Sequence, residues 1–169
     1  KVLSPRIEKK LAREMGALRF LAWWIERVSS RSRRLEPVQF IDTVASAMER
    51  ELDLRLEAGA AAEFREVAEK DGYLTVPQID WSRSAKRVMT LDWIDGVPLT
   101  DGKALDQTGA DRGELAIAIT RGFLAAALAH GFFHADMHEG NLLYGKDGKL
   151  WIVDFGIMGR IGHKERRYL

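Results

Sequence analysis

The stretch that decides the fold is "FHADMHEGNLLYGKDGKLWIVDFG", residues 133–156. It packs three aspartates, one asparagine and two histidines into residues that otherwise read as strand and turn. Leu142 to Tyr144 and Leu150 to Val153 read as two short strands. Lys146-Asp147-Gly148 reads as the turn between them, so Asp147 is explained as a turn residue. Asp136 and Asn141 lie five residues apart, and Asp154 lies 18 positions beyond Asp136. If the two strands form a hairpin, both remaining acids arrive at one end of it. Two carboxylates and an amide facing one cavity suit Mg²⁺, a hard cation that takes oxygen ligands and shares them with phosphates.

Outward from this stretch, Ala110 to Gly131 reads as the helix leading in, with Leu115, Ile119, Phe123, Leu124 and Leu128 inward. Arg87 to Trp93, "RVMTLDW", reads as a strand. Asp95-Gly96 makes a turn after it, and Val97-Pro98-Leu99 continues extended. A helical region is expected from Pro37 to about Lys70, with a stripe of Ile41, Val44, Met48, Leu52 and Leu56 and a bend at Gly59. Asp71-Gly72 ends it. The first helix follows Pro5, with Leu11, Met15, Leu18, Ala22 and Ile25 on one face. Phe20, Trp23 and Trp24 lie off that face. They imply burial under another segment or contact with lipid beside the basic run Arg31, Arg33 and Arg34. Helices and strands are mixed rather than alternating, so the expected class is α+β.

The 169 residues suffice for an ordinary core, and the composition is that of a globular protein, 46% hydrophobic and 30% charged. A net charge of +1 gives no reason to expect nucleic-acid binding. With no cysteine, thiolate catalysis and cysteine-ligated metals are excluded for this chain. His134 and His138 sit four apart, but no third ligand is evident, so a zinc site is not expected there. The apolar run from Gly122 to Phe133, broken by His130, is too short to span a bilayer. The chain opens on Lys1 and reads as a fragment of a longer one.

The opening stretch matches the protein-kinase pattern H-x-D-x-x-x-x-N followed by D-F-G, here His134-Ala135-Asp136, Asn141 and Asp154-Phe155-Gly156. Singly, each residue has a structural explanation as a turn cap or loop brace. Jointly, at this spacing, they indicate phosphoryl chemistry. "FFHADMHEGNLLY" resembles the catalytic loop of the UbiB (AarF-type) atypical kinase family, with Met137 and Glu139 where prolines often flank the second histidine. "KVLSPRIEKK" resembles the end of that family's third strand. "ELDLRLEAGAAAEF" resembles its E-x-D and E-A motifs, and "VMTLDWIDGVPL" its hinge. Ala60 stands where the family often carries asparagine.

The resemblance implies a bilobal kinase-like fold. Residues 1–93 would form a partial N-lobe with a long helical insertion at about residues 5–35. Residues 94–169 would form a partial, mostly helical C-lobe. It implies ATP and Mg²⁺ as cofactors, with Lys1 on the nucleotide phosphates and Glu51 its partner. Asp53 completes E-x-D, and Glu57 is the second glutamate, paired in the family with a lysine of an upstream extension. The Asp92 carbonyl and Ile94 N–H would meet the adenine edge. Asn141 and Asp154 would hold the metal, Asp136 would be catalytic, and His134 and His138 complete the loop motif. It also implies support of ubiquinone (prenylquinone) biosynthesis on the cytoplasmic side of a membrane. Partners would be a lipid or prenylphenol precursor and quinone-biosynthesis proteins. A small-molecule kinase of aminoglycoside or choline type, and a nucleotide-binding pseudokinase module, are the rival readings.

Overall fold

A computed structural model describes residues 1–162 and 164–168. The side chains of residues 30, 31, 167 and 168, and with them Arg31 of the basic run, lie outside the described residues. The chain divides into two compact units, residues 1–56 with 85–88, and residues 57–84 with 89–169.

The first unit is mostly helical. Helix α1 spans Ile7–Val28, α2 Ser30–Arg33 and α3 Pro37–Glu51. Pro37 stands at the start of α3, where its missing N–H costs nothing. Glu26 Oε1 accepts from Val38 N–H at 3.2 Å, satisfying one of the donors that every helix start leaves open. Arg19 and Asp42 tie α1 to α3 through a paired contact at 2.7 and 3.3 Å. Leu11 and Ala22 of α1 are buried, and Met15 is half-buried. Leu18 and Ile25, expected on the inward stripe, remain 42% and 44% exposed.

The helical region expected from Pro37 to Lys70 is two helices, α3 and then α4 over Leu54–Asp71. The break is at Asp53. Its carboxylate accepts the Arg55 N–H at 3.1 Å, so the side chain offers the backbone a local alternative to continued helix. The break resets the helical phase. Leu54 is 2% exposed, whereas Leu56, assigned to the stripe, is 58% exposed. α4 runs through Gly59.

The second unit carries the rest of α4, whose Ala58, Ala61, Phe64 and Ala68 are buried at steps of three and four. Phe64 meets Phe132 edge-on at 6.1 Å and Phe155 at 6.2 Å. Strands β1 (Gly96–Pro98), β3 (Leu142–Gly145) and β4 (Leu150–Ile152) form an antiparallel sheet in the order β1-β3-β4. The expected hairpin is present as β3-β4. Asp147 holds its turn by accepting from Lys149 N–H and Trp151 Nε1. Strands β2 (Phe132–His134) and β5 (Met158–Arg160) pair antiparallel, with His134 opposite Met158. Helix α5 covers Gly102–Gln107 and α6 covers Arg112–Leu124.

Two further expectations are corrected. "RVMTLDW" is not a continuous strand. Val88 bridges Val2 and Ala85 while Leu91 bridges Ile79, and the Ser84 hydroxyl takes the Thr90 N–H at 3.0 Å. The segment changes partners midway and a side chain caps it between, so no ladder builds. The helix leading into the polar loop also changes character: after α6 comes a π-helical segment, Ala125–His130. Gly122, Ala126 and Ala127 take the inward positions, and Leu124 and Leu128 stay 45% and 46% exposed.

Candidate active site

The π-helical segment stops at Gly131, which has φ 69 and leads directly into β2. A β-carbon there would lie 2.6 Å from the Ile161 carbonyl oxygen, so both conformation and space require glycine. β2 then delivers His134 into the interior at 1% exposure.

Both ring nitrogens of His134 are used. Nδ1 accepts the Asp136 N–H at 3.2 Å, so in the neutral ring the proton sits on Nε2, which donates to the Asp154 carbonyl. One side chain thereby fixes the backbone at the loop aspartate and at the D-F-G aspartate, 18 positions apart.

Asn141 forms a second tie. Its carbonyl accepts from Val153 N–H at 2.8 Å, its N–H donates to His138 O at 2.9 Å, and its Nδ2 donates to the Asp136 carbonyl at 3.1 Å. His138 Nδ1 accepts the Gly140 N–H at 3.0 Å, and Nε2 lies 3.8 Å from Asp136 Oδ2. The Asp136 side chain faces solvent, 53% exposed, on a backbone held from both sides.

Asp154 has φ 103, a region L-residues rarely adopt. Its Oδ1 accepts the Gly156 N–H at 3.2 Å, and the side chain is solvent-accessible. Holding a non-glycine residue there costs about 1–3 kcal/mol and persists only where the surroundings over-determine it. The surroundings do so through His134 on the Asp154 carbonyl and through the next residue. Phe155 is 2% exposed, stacks edge-on against His134 at 6.0 Å, and donates its N–H to Glu57 Oε1 at 3.3 Å. Glu57, at the buried face of α4, is the anchor for Phe155. The sequence pattern marked Glu57 only as a motif glutamate, because a contact across 98 positions leaves no local signal.

Asp136, Asn141, Asp154, His134, His138 and Glu57 thus belong to one hydrogen-bonded network in the second unit. Lys1, Glu51 and Asp53 belong to the first unit. Lys1 is exposed, and Glu51 ends α3 at an exposed position. Asp53 is clamped by Arg55 at 2.9 and 2.6 Å, which holds its carboxyl down at about 2. Asp92 N–H donates to Gln78 O at 3.0 Å, and Ile94 is half-buried just beyond. A groove of about 620 Å³ in the second unit is lined by Asp92, Glu69, Asp111 and Trp151, but by none of Asp136, Asn141 and Asp154. The convergence of polar groups, rather than this groove, marks the site.

The donor chemistry fits Mg²⁺. The Asn141 amide spends its nitrogen on Asp136 and keeps its oxygen, a hard donor, and the carboxylate of Asp154 follows Val153, which is bonded to the same residue. No group of three or more His, Cys, Asp or Glu able to hold a metal ion occurs among the described residues. A site with two protein oxygens suits an ion that completes its shell from phosphates and water. The same arrangement gives zinc no foothold at His134, whose nitrogens are both engaged.

The ABC1 atypical kinase-like domain matches residues 1–169. The chain is similar to the probable protein kinase UbiB of Marinobacter nauticus, 34% identical over 173 residues, covering 100% of this chain and 32% of that protein. It is equally similar to that of Xanthomonas campestris pv. campestris, 34% identical over 175 residues, covering 100% of this chain and 31% of that one. The chain therefore spans about a third of the length of these relatives. Among solved structures, the Rv3197–erythromycin complex of Mycobacterium tuberculosis superposes with a TM-score of 0.65 at 25% identity, over 95% of this chain and 39% of that one.

Proposed function

The chain belongs to the ABC1 atypical kinase-like family, and from that premise we propose that it uses Mg-ATP as an atypical kinase or ATPase supporting ubiquinone (prenylquinone) biosynthesis at a membrane surface. The observation that carries the reading is the His134 ring joining the backbones of Asp136 and Asp154. Phosphoryl transfer asks a protein mainly for position and charge, and this brace supplies position.

In this reading Asp136 orients the attacking hydroxyl or water and accepts its proton. His138, beside the Asp136 carboxylate, sets that carboxylate's direction. Asn141 and Asp154 hold Mg²⁺, which would neutralise charge on the phosphates. Lys1, with Glu51 as partner, contacts the phosphates. The backbone of Asp92 and Ile94 meets the adenine edge at the lobe boundary after residue 93. Asp53 completes the E-x-D motif, and Glu57 anchors Phe155 of the D-F-G motif. Candidate partners are a lipid or prenylphenol precursor and other quinone-biosynthesis proteins.

The test is Mg²⁺-dependent ATP hydrolysis by the full-length protein, with and without a prenylphenol mimic. Asp136→Asn should bind nucleotide with unchanged affinity and lose turnover by about 10²-fold or more. Full turnover by that variant would sink the assignment. Stimulation by a soluble amino alcohol, and not by the prenylphenol, would move the substrate to the small-molecule kinases.

A further inference from the structure

Helix α1 carries two apolar stripes, one partly buried through Leu11 and Ala22 and the other exposed along its length. On the side opposite Leu11 and Ala22, Phe20, Leu21, Trp24 and Val28 recur at helical spacing and are 63%, 55%, 55% and 67% exposed. Lys9, Lys10 and Arg13 continue the same side toward the N-terminus and are exposed. Trp23, at the stripe's edge, stacks on Phe20 at 6.0 Å, and the Arg27 guanidinium lies 5.3 Å from its ring. Solvent exposure of this much aromatic surface is unfavourable unless something covers it.

The charge distribution says what. The first unit holds 14 Lys and Arg against 8 Asp and Glu, while the second holds 12 against 17. A chain of net charge +1 is thus a basic unit joined to an acidic one, and the exposed aromatic stripe is on the basic one. Cations beside indole rings match a layer with anionic headgroups outside and acyl chains beneath. No helix among the described residues is long and apolar enough to cross a membrane. α1 is therefore suited to lie in the interface rather than to span.

We propose that this stripe of α1 is the docking face for an anionic lipid surface, with Phe20, Trp24 and Val28 entering the acyl boundary and Lys9, Lys10 and Arg13 meeting the headgroups. The inference rests on the membrane placement proposed above and names the surface that achieves it.

The experiment labels the full-length protein with a nitroxide through Trp24→Cys, and separately through Gln107→Cys on exposed α5 as reference. Vesicles are phosphatidylcholine alone or an equal mixture with phosphatidylglycerol. Collisions with oxygen report lipid, and collisions with a nickel chelate report water. The expected result is that position 24 loses nickel accessibility and gains oxygen accessibility in the anionic vesicles, while position 107 stays nickel-accessible. Replacing Lys9, Lys10 and Arg13 by glutamate should reverse the change at position 24. Position 24 remaining nickel-accessible overturns the proposal. Shielding from both reagents also overturns it, and assigns the stripe to another protein segment. Flotation of the same vesicles separates the two failures: protein that floats with position 24 in water leaves the membrane reading standing, and protein that does not float removes both.

Discussion

The Asp154 backbone gives the sharpest residue-scale test. With φ 103, any side chain beyond glycine is strained there, yet function under the proposed reading demands a carboxylate. Asp154→Gly and Asp154→Ala both remove the carboxylate and its bond to Gly156 N–H, so their difference isolates the backbone term. Asp154→Gly should be more stable than Asp154→Ala by about 1 kcal/mol, measured as a shift in urea midpoint. Equal stability would mean that the positive φ carries no cost. Asp53 offers a pH test. Its side-chain hydrogen bonds from Arg55 hold the carboxyl at about 2, below the ordinary 3.8. A depressed folded value means the unfolded chain binds the proton first as pH falls. The stabilisation is therefore complete above 3.8 and is lost on descending to about 2. The stability gap between the native protein and Asp53→Asn should be present at neutral pH and shrink across that window, and a gap independent of pH would refute the clamp.

At the scale of elements, the segment from α6 to β2 positions the loop that carries Asp136 and Asn141. The π-helical segment follows α6, and Gly131 ends it with a left-handed residue packed against the Ile161 carbonyl. Gly131→Ala must adopt a strained φ and displace backbone at once. It should destabilise the protein by about 2 kcal/mol or more and weaken nucleotide binding with it, as read by thermal melting and nucleotide titration. An unaffected melt would show that β2 can be re-aimed without cost. The sequence pattern finds Ala110–Gly131 as helical but assigns Leu124 and Leu128 inward by residue type. The helical period that starts at Leu115 and Ile119 runs instead through Gly122 and Ala126, so small residues take the inside. The "RVMTLDW" segment fails for a related reason: strand propensity says that a residue suits a sheet, not that one partner strand runs beside all of it.

Across the whole molecule, the proposed reading gives Mg²⁺ only Asn141 and Asp154 from the protein and leaves the rest of its oxygen shell to phosphates and water. Mg²⁺ alone should leave the melting temperature of the full-length protein unchanged, ATP with EDTA should raise it little, and Mg²⁺ with ATP should raise it most. A large shift from Mg²⁺ alone would point to ligands beyond Asn141 and Asp154. The charge asymmetry between the units is also a whole-molecule property. It is invisible in a net charge of +1 and appears only when the chain is divided by packing, since residues 85–88 belong with the first unit although 57–84 do not.

By itself, the amino-acid sequence determined the α+β class, the β3-β4 hairpin and the catalytic-loop and D-F-G motifs. These depend on short-range spacing: alternation, turn residues, and polar groups within 18 positions of one another. Only the tertiary structure decided which groups hold those motifs in shape. His134 spends both ring nitrogens on two separate backbones, Glu57 anchors Phe155 from another helix, and Asp154 is forced to positive φ between them. Such ties join residues whose separation along the chain says nothing of their distance in space. They form because a buried donor or acceptor must find a partner wherever packing brings one.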